Sequence, residues 1–223
     1  MKLIIFGTSE IALCAYEYFT HDSEYEVSGF VVDGEYIKDG QDSFMGLPLV
    51  PFEEIEAHFP PSSFHAFAAI GSQKLNRVRT EKYEALKAKG YNMASYISSR
   101  AFIWHNVEVG DNAFILEDNT IQPFVKIGNN VTLWSGNHIG HSSVIGDNCF
   151  ITSQVVISGL CNIGKSCFMG VNSSCSEETI IGDDNFIAIG AVVSKNTDEN
   201  VLIPPPSKTE PSKIPAKRFC RVK

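Results

Sequence analysis

The 223-residue sequence has no run approaching the roughly eighteen consecutive apolar residues that a membrane-spanning helix needs. Its first apolar stretch, residues 3–6, ends at Gly7 and is too short for the hydrophobic region of an export signal. The compartment expected on that basis is the cytoplasm, where the six cysteines are reduced thiols. No CxxC pair is present, so a zinc site built on paired cysteines is excluded. Basic residues are few, 18 against 26 acidic, and the net charge of −8 repels nucleic acid on average. A full GxGxxG is also missing, which argues against a nicotinamide dinucleotide. What remains is ample apolar material, 43% of the chain, and that suffices for a buried core.

The first ninety-odd residues read as an α/β domain. Residues 2–6 form a short apolar run ended by Gly7-Thr8-Ser9, and a helical pattern follows with Ile11, Cys14, Ala15 and Tyr18 on one face. Residues 25–32 are β-rich and end at the turn Asp33-Gly34. A short helix over 52–58, a buried strand over 65–70 ended by Gly71, and a charged helix over 76–89 stopped by Gly90 complete the pattern. Strands alternating with helices indicate a small parallel sheet over residues 1–95.

From Ile97 the grammar changes. Every sixth residue from Ile97 through Ile103, Val109 and Ile115 to Ile187 and Val193 is aliphatic or sulfur-bearing, without a break. Two places before it stands a small or β-branched residue, as at Ala113, Val125, Ser143 and Cys161. Glycine follows it at 110, 128, 140, 146, 164, 170 and 182. Such a period builds a three-sided β-helix, with coils stacked about 4.8 Å apart and the aliphatic residues superposed inside. On this reading the small residues fill the inside corners and the glycines serve the turns between faces. The β-helix is expected over residues 96–195, and a short prism of this kind calls for capping and association with further copies.

The repeat accounts for four cysteines as core positions: Cys149, Cys161 and Cys167 in the small position and Cys175 in the aliphatic one. Cys14 falls on a helix face and Cys220 in the tail. That tail, 196–223, turns basic beyond three prolines and reads either as a solvated segment or as a neighbour of a phosphorylated ligand. Of six histidines, His138 and His141 interrupt the repeat around Ile139, and both should point outward. Their separation from His105 does not suit a metal site shared between coils, so no metal is expected. A general base is the better reading.

Residues 1 to about 195 resemble the PglD/NeuD/VioB-type sugar-nucleotide N-acetyltransferases, in which a Rossmann-like domain precedes a left-handed parallel β-helix and three chains associate. The motif H-[DE]-x-x-I-G-D of that group reads here His141-Ser142-Ser143-Val144-Ile145-Gly146-Asp147. The resemblance makes His141 the catalytic base, with Ser142 standing where the group usually has an acid. Either Asn137 or His138 then orients the imidazole, or the base is weaker. A second histidine of the group, nine residues on, is replaced by Phe150, an apolar contact for the pantetheine arm. Gly159 lies one coil beyond His141 and would let acetyl-CoA pass close to the backbone. Val171 and Ile189 would offer main-chain contacts to the same molecule.

The resemblance further implies that the N-terminal domain holds a nucleotide-linked amino sugar, of the 4-amino-4,6-dideoxy type found in surface glycans such as O-antigen. Gly7, Thr8 and Ser9 open a helix whose free N–H groups can face a pyrophosphate. Asp33 and Gly71 end the second and third strands, Asp33 being placed to accept hydrogen bonds from a base or ribose, and His138 would touch the sugar. The implied assembly is a homotrimer with cofactor grooves between subunits. Transfer to a hydroxyl, transfer of a longer acyl group, and a non-catalytic scaffold stay open as alternatives.

Overall fold

The computed structural model describes residues 1–206 and position 218. The rest of the basic tail, including Cys220, lies outside the described residues.

The N-terminal sheet forms where the apolar runs were read. Strands β1 (Lys2–Phe6), β2 (Glu26–Val32) and β5 (His65–Ala68) pair in parallel with β1 in the middle. Helix α1 (Glu10–His21) follows β1. Between β2 and β5 come β3 (Ser43–Phe44), β4 (Leu47–Pro51) and the short α2 (Ile55–His58). Helix α3 (Arg77–Ala88) and β6 (Asn92–Met93) follow, and the sheet order is β3-β4-β2-β1-β5-β6. The chain turns to one side of β1 for β2 and β4 and to the other for β5 and β6. A crevice therefore opens above the carboxyl ends of β1 and β5, where such sheets bind ligands.

Helix α1 departs from the expected face. Its fully buried residues are Ala12, Ala15 and Phe19, while Cys14 and Tyr18 are only partly covered. The helix is wedged between two bodies. Ala12, Ala15 and Phe19 meet the sheet, and the Tyr18 ring packs 5.9 Å from Phe114 of the β-helix.

The β-helix has three faces of stacked two-residue strands. The first runs from Tyr96–Ile97 through Phe150–Ile151 to Leu202–Ile203, the second from Phe102–Ile103 to Val192–Val193, and the third from Glu108–Val109 to Ile180–Ile181. Neighbouring strands on a face pair in parallel with an eighteen-residue offset, as Ile121 with Ile139 and Ile139 with Ile157. The aliphatic column is buried from Ile115 onward, together with Cys149, Cys161, Cys167 and Cys175. Ile97 is 40% exposed because it lies on the end coil, with nothing stacked beneath it. At the other end the prism outlasts the six-residue phase: Ile203 stacks on Ile187 although two residues are missing from that coil.

The corners revise the role given to glycine. The left-handed residue of each turn stands three places after the aliphatic position, at Asn112, Asp118, Phe124, Asn130, Ser142, Asn148 and onward to Asp184. The glycines directly after the aliphatic position have ordinary φ. They are needed because the next coil passes too close for a side chain. A Cβ at Gly140 would sit 2.4 Å from the Gly159 nitrogen, and one at Gly146 would sit 2.8 Å from the Gly164 carbonyl carbon.

The two bodies meet along α3. Its side chains cap carbonyls exposed at the corner between the third and first faces. Asn76 donates to the Ser166 and Cys167 oxygens at 3.0 and 3.2 Å, and Arg79 donates to those of Asn130, Asn148 and Cys149 at 2.8–3.2 Å. Lys87 pairs with Asp111 at 2.7 Å, and Arg77 pairs with Asp184. Arg79 is 1% exposed and, among the described residues, faces no carboxylate and leaves Nε and Nη1 without partners. Burial pulls its pKa down to about 10.

Candidate active site

At the crevice of the N-terminal sheet lies a cavity of ≈ 700 Å³. Gly7, Thr8 and Ser9 form one wall, and Asp33 lines another. Gly7 has φ +126°, and a Cβ there would approach the Ala69 oxygen to 2.7 Å, so this turn accepts only glycine without strain. Ser9 is the N-cap of α1, yet its hydroxyl makes no capping bond, leaving the first-turn N–H groups without a side-chain cap among the described residues. Gly71 does not reach the cavity; Ile70 and Gln73 line it instead.

Asp33 is not the free acceptor that its place at a strand end implied. Lys82 of α3 donates to its Oδ1 at 2.9 Å and lies 3.3 Å from Glu81. Burial opposes the Lys82 charge, but the bonds to Asp33 and Glu81 outweigh it and hold the pKa above its ordinary value. Lys82, Lys74, Gln73 and Tyr36 all border the cavity and were not singled out from sequence. The signal available for them was topological: the helix after β5 must pass this crevice.

On the β-helix, His141 occupies the corner between the second and third faces and is exposed, and His138 is half-buried on the second face. The backbone N–H of His141 donates to Gln122 Oε1 at 2.8 Å, and its carbonyl accepts from the Leu160 N–H at 2.8 Å. The coils on either side thus hold its main chain. Its imidazole lies directly over Gly159, since a Cβ there would be 2.7 Å from Nε2 and 2.9 Å from Cε1. Gly159 therefore makes room for the imidazole itself. The ring makes no hydrogen bond or ion pair among the described residues. Asn137 is not available to orient it: 1% exposed, it donates to the Trp134 oxygen and accepts from the Val155 N–H at 2.8 Å.

Val171 and Ile189 are exposed at the corner between the first and second faces. They stand across the second face from His141, on its opposite edge. Their N–H groups, and that of Gly159, donate to no acceptor among the described residues. Phe150 is corrected. It lies on the first face, 5% exposed beneath the Arg79 guanidinium, whose carbon is 5.2 Å from the ring centroid. The helix that docks the two bodies covers it, and a pantetheine arm has no access there.

Residues 124–159, which include His138, His141 and Gly159, match the family model described as bacterial transferase hexapeptide (six repeats). No curated protein matches the chain by sequence. Among solved structures, the acetyltransferase domain of PglB from Neisseria gonorrhoeae is similar, with 19% identity and a TM-score of 0.79 over 90% of this chain and 95% of that one. PerB from Caulobacter crescentus, solved with CoA and GDP-perosamine, matches with 20% identity and a TM-score of 0.78, covering 91% of this chain and 93% of that chain. WeeI from Acinetobacter baumannii matches with 18% identity and a TM-score of 0.56, covering 91% and 96%. The protein thus has, over nine-tenths of its length, the fold of these transferases: an N-terminal α/β domain joined to a left-handed parallel β-helix of hexapeptide repeats.

Proposed function

We propose that the protein is an acetyl-CoA-dependent N-acetyltransferase acting on a nucleotide-linked amino sugar of the 4-amino-4,6-dideoxy type, with His141 as general base. The observation that carries the reading is the exposed imidazole of His141, seated over Gly159 on a β-helix whose whole-chain fold matches that of PglB and PerB. PerB is described with CoA and a nucleotide-linked sugar, and the PglB domain with acetyl coenzyme A.

In the proposed reaction the sugar amine attacks the thioester carbonyl, forming the C–N bond. His141 takes the amine proton as the C–S bond breaks, and coenzyme A leaves. Holding both reactants in one groove supplies much of the acceleration. The unspent N–H groups of Gly159, Val171 and Ile189 suit the carbonyl and amide oxygens of the cofactor. These groups lie on opposite edges of the second face, so the reading has a neighbouring copy bring its Val171 edge against the His141 edge. Exposed apolar side chains on and beside that face favour such an association: Phe102 at 54%, Phe124 at 65% and Val192 at 69%. On this reading the assembly is a homotrimer with three such grooves.

The test is His141→Asn, assayed by free-thiol release and product mass with UDP-, dTDP- and GDP-linked amino sugars. The expected result is loss of transfer, with the circular dichroism spectrum and assembly mass unchanged. Undiminished turnover would reject His141 as the base. Acylation of a hydroxyl rather than an amine would move the assignment to O-acetyl transfer.

A further inference from the structure

The turn that leads into α3 combines strain with charge. Lys74, Leu75 and Asn76 all have φ near +50 to +67°, three consecutive non-glycine residues in the left-handed region. Each costs on the order of 1 kcal/mol relative to ordinary backbone. Such strain persists only where surroundings over-determine it, and it gathers at ligand sites. Here the determinant is Asn76. It is fully buried, and its amide is fastened to the Ser166 and Cys167 carbonyls of the β-helix. The turn is pinned from outside its own domain.

The pinned turn places Lys74 at the cavity beside Gly7, Thr8 and Ser9. The charges around that cavity single it out. Its lining contains Lys74 and Lys82 against Asp33, Glu35 and Glu81, and Lys82 is already engaged by two of those carboxylates. Lys74 makes no ion pair among the described residues. The named charges sum to −1 with Lys74 and −2 without it, so Lys74 is the one cation of the lining that no carboxylate already engages among the described residues.

We propose that Lys74 binds the diphosphate of the nucleotide-linked substrate, and that Asn76 is the positioning residue that holds it there through the β-helix. The proposal rests on the nucleotide-sugar reading above and deepens it. It separates the wall where Lys82 neutralises Asp33 from the Lys74 wall, which takes the phosphates.

The experiment is calorimetric titration of the full chain with UDP, dTDP and GDP, and with uridine, thymidine and guanosine as uncharged counterparts. Lys74→Met should weaken diphosphate binding roughly tenfold or more, the scale of a charge-assisted hydrogen bond to phosphate, with nucleoside affinity unchanged. Asn76→Gly keeps a residue at ease in the left-handed turn but removes the anchor. It should lower the diphosphate-to-nucleoside affinity ratio in the same direction, and Lys74→Arg should restore much of that ratio lost in Lys74→Met. The proposal is overturned if Lys74→Met binds the diphosphates as well as the parent, or loses nucleoside and diphosphate alike. A parent protein that binds none of the three diphosphates would refute the nucleotide-sugar reading itself, and this proposal with it.

Discussion

Replacing Gly159 with alanine separates two roles for that position. The added Cβ would lie 2.7, 2.9 and 3.1 Å from Nε2, Cε1 and Cδ2 of His141. Ordinary van der Waals contact begins near 3.4 Å, so the ring has to move by several tenths of an ångström or swing off the corner. All three nearest atoms belong to the end of one movable side chain, and Gly159 has ordinary φ. The fold therefore accommodates the methyl group, at a cost below about 1 kcal/mol. With His141 as the proposed base, catalysis would not, because displacing a reacting group by about 1 Å costs on the order of 10²-fold in rate, or roughly 2.7 kcal/mol of transition-state stabilisation. The assay is kcat for acetyl transfer beside the Kd for acetyl-CoA. If Gly159 chiefly houses the imidazole, kcat falls about a hundredfold and Kd holds. If it chiefly lets the cofactor pass, Kd weakens as well. A variant with kcat within about threefold of the parent would refute the placement of His141 as the base. Gly140→Ala is the contrasting control, since its Cβ would strike the backbone of the next coil and the fold should fail.

Two further outcomes concern stability. Arg79→Met leaves the Asn130 and Asn148 carbonyls without their donor, at about 1–3 kcal/mol each, while removing a buried cation that has no counter-ion. We expect a net loss of about 2 kcal/mol and a melting temperature lower by roughly 4–8 °C; an increase would mean that desolvation of the guanidinium dominates. Leu160 holds a left-handed turn where most equivalent corners have Asn, Asp, Ser or Gly, and it is exposed. Changing it to Asn should stabilise the chain by about 1 kcal/mol, read as a higher melting temperature, and an unchanged or lower value would refute the strain assigned to it.

The β-helix was legible because stacking leaves no freedom: an inward residue every sixth place has to be apolar, and Ile115 through Ile187 obey. The turn conformation was not, because the left-handed position is filled by Asn, Asp, Ser, Gln, Glu, Phe and Leu alike. The preference for Asn, Asp, Ser and Gly there is diluted by these exceptions, and the conspicuous glycines after the aliphatic position drew the turn to the wrong residue. Strands β1 and β2 could be read from their apolar runs. Strand β4 could not, since Pro48 and Pro51 mark a segment as unsuited to a sheet interior, and only its pairing to β2 and β3 shows the strand. In the site, His141 was visible as an interruption of the repeat. Phe150 was misjudged because its cover is Arg79, 71 positions away in sequence, and no local pattern reports a docking partner at that distance.

Helix α3 explains how the two halves act as one binding body. Val78, Glu81 and Lys82, spaced three and four apart, border the cavity at the crevice of the N-terminal sheet. Arg79, Tyr83 and Lys87, spaced four apart, bind the β-helix, as does Asn76 one turn earlier. At 100° per residue these stripes lie on nearly opposite sides of the helix. A helix with one face in a ligand cavity and the other in a buried interface cannot turn to suit one without breaking the other. Its interface bonds include main-chain carbonyls of five corner residues as well as paired charges, so a rigid joint is favoured over a hinge. The distance between that cavity and the His141 edge is then fixed by the fold, and on the proposed reading the substrate's own length would span it. On the proposed reading, selection among nucleotide-linked amino sugars would follow from that fixed span: the reacting nitrogen would have to project from the ring position that reaches the imidazole when the diphosphate is held at Lys74.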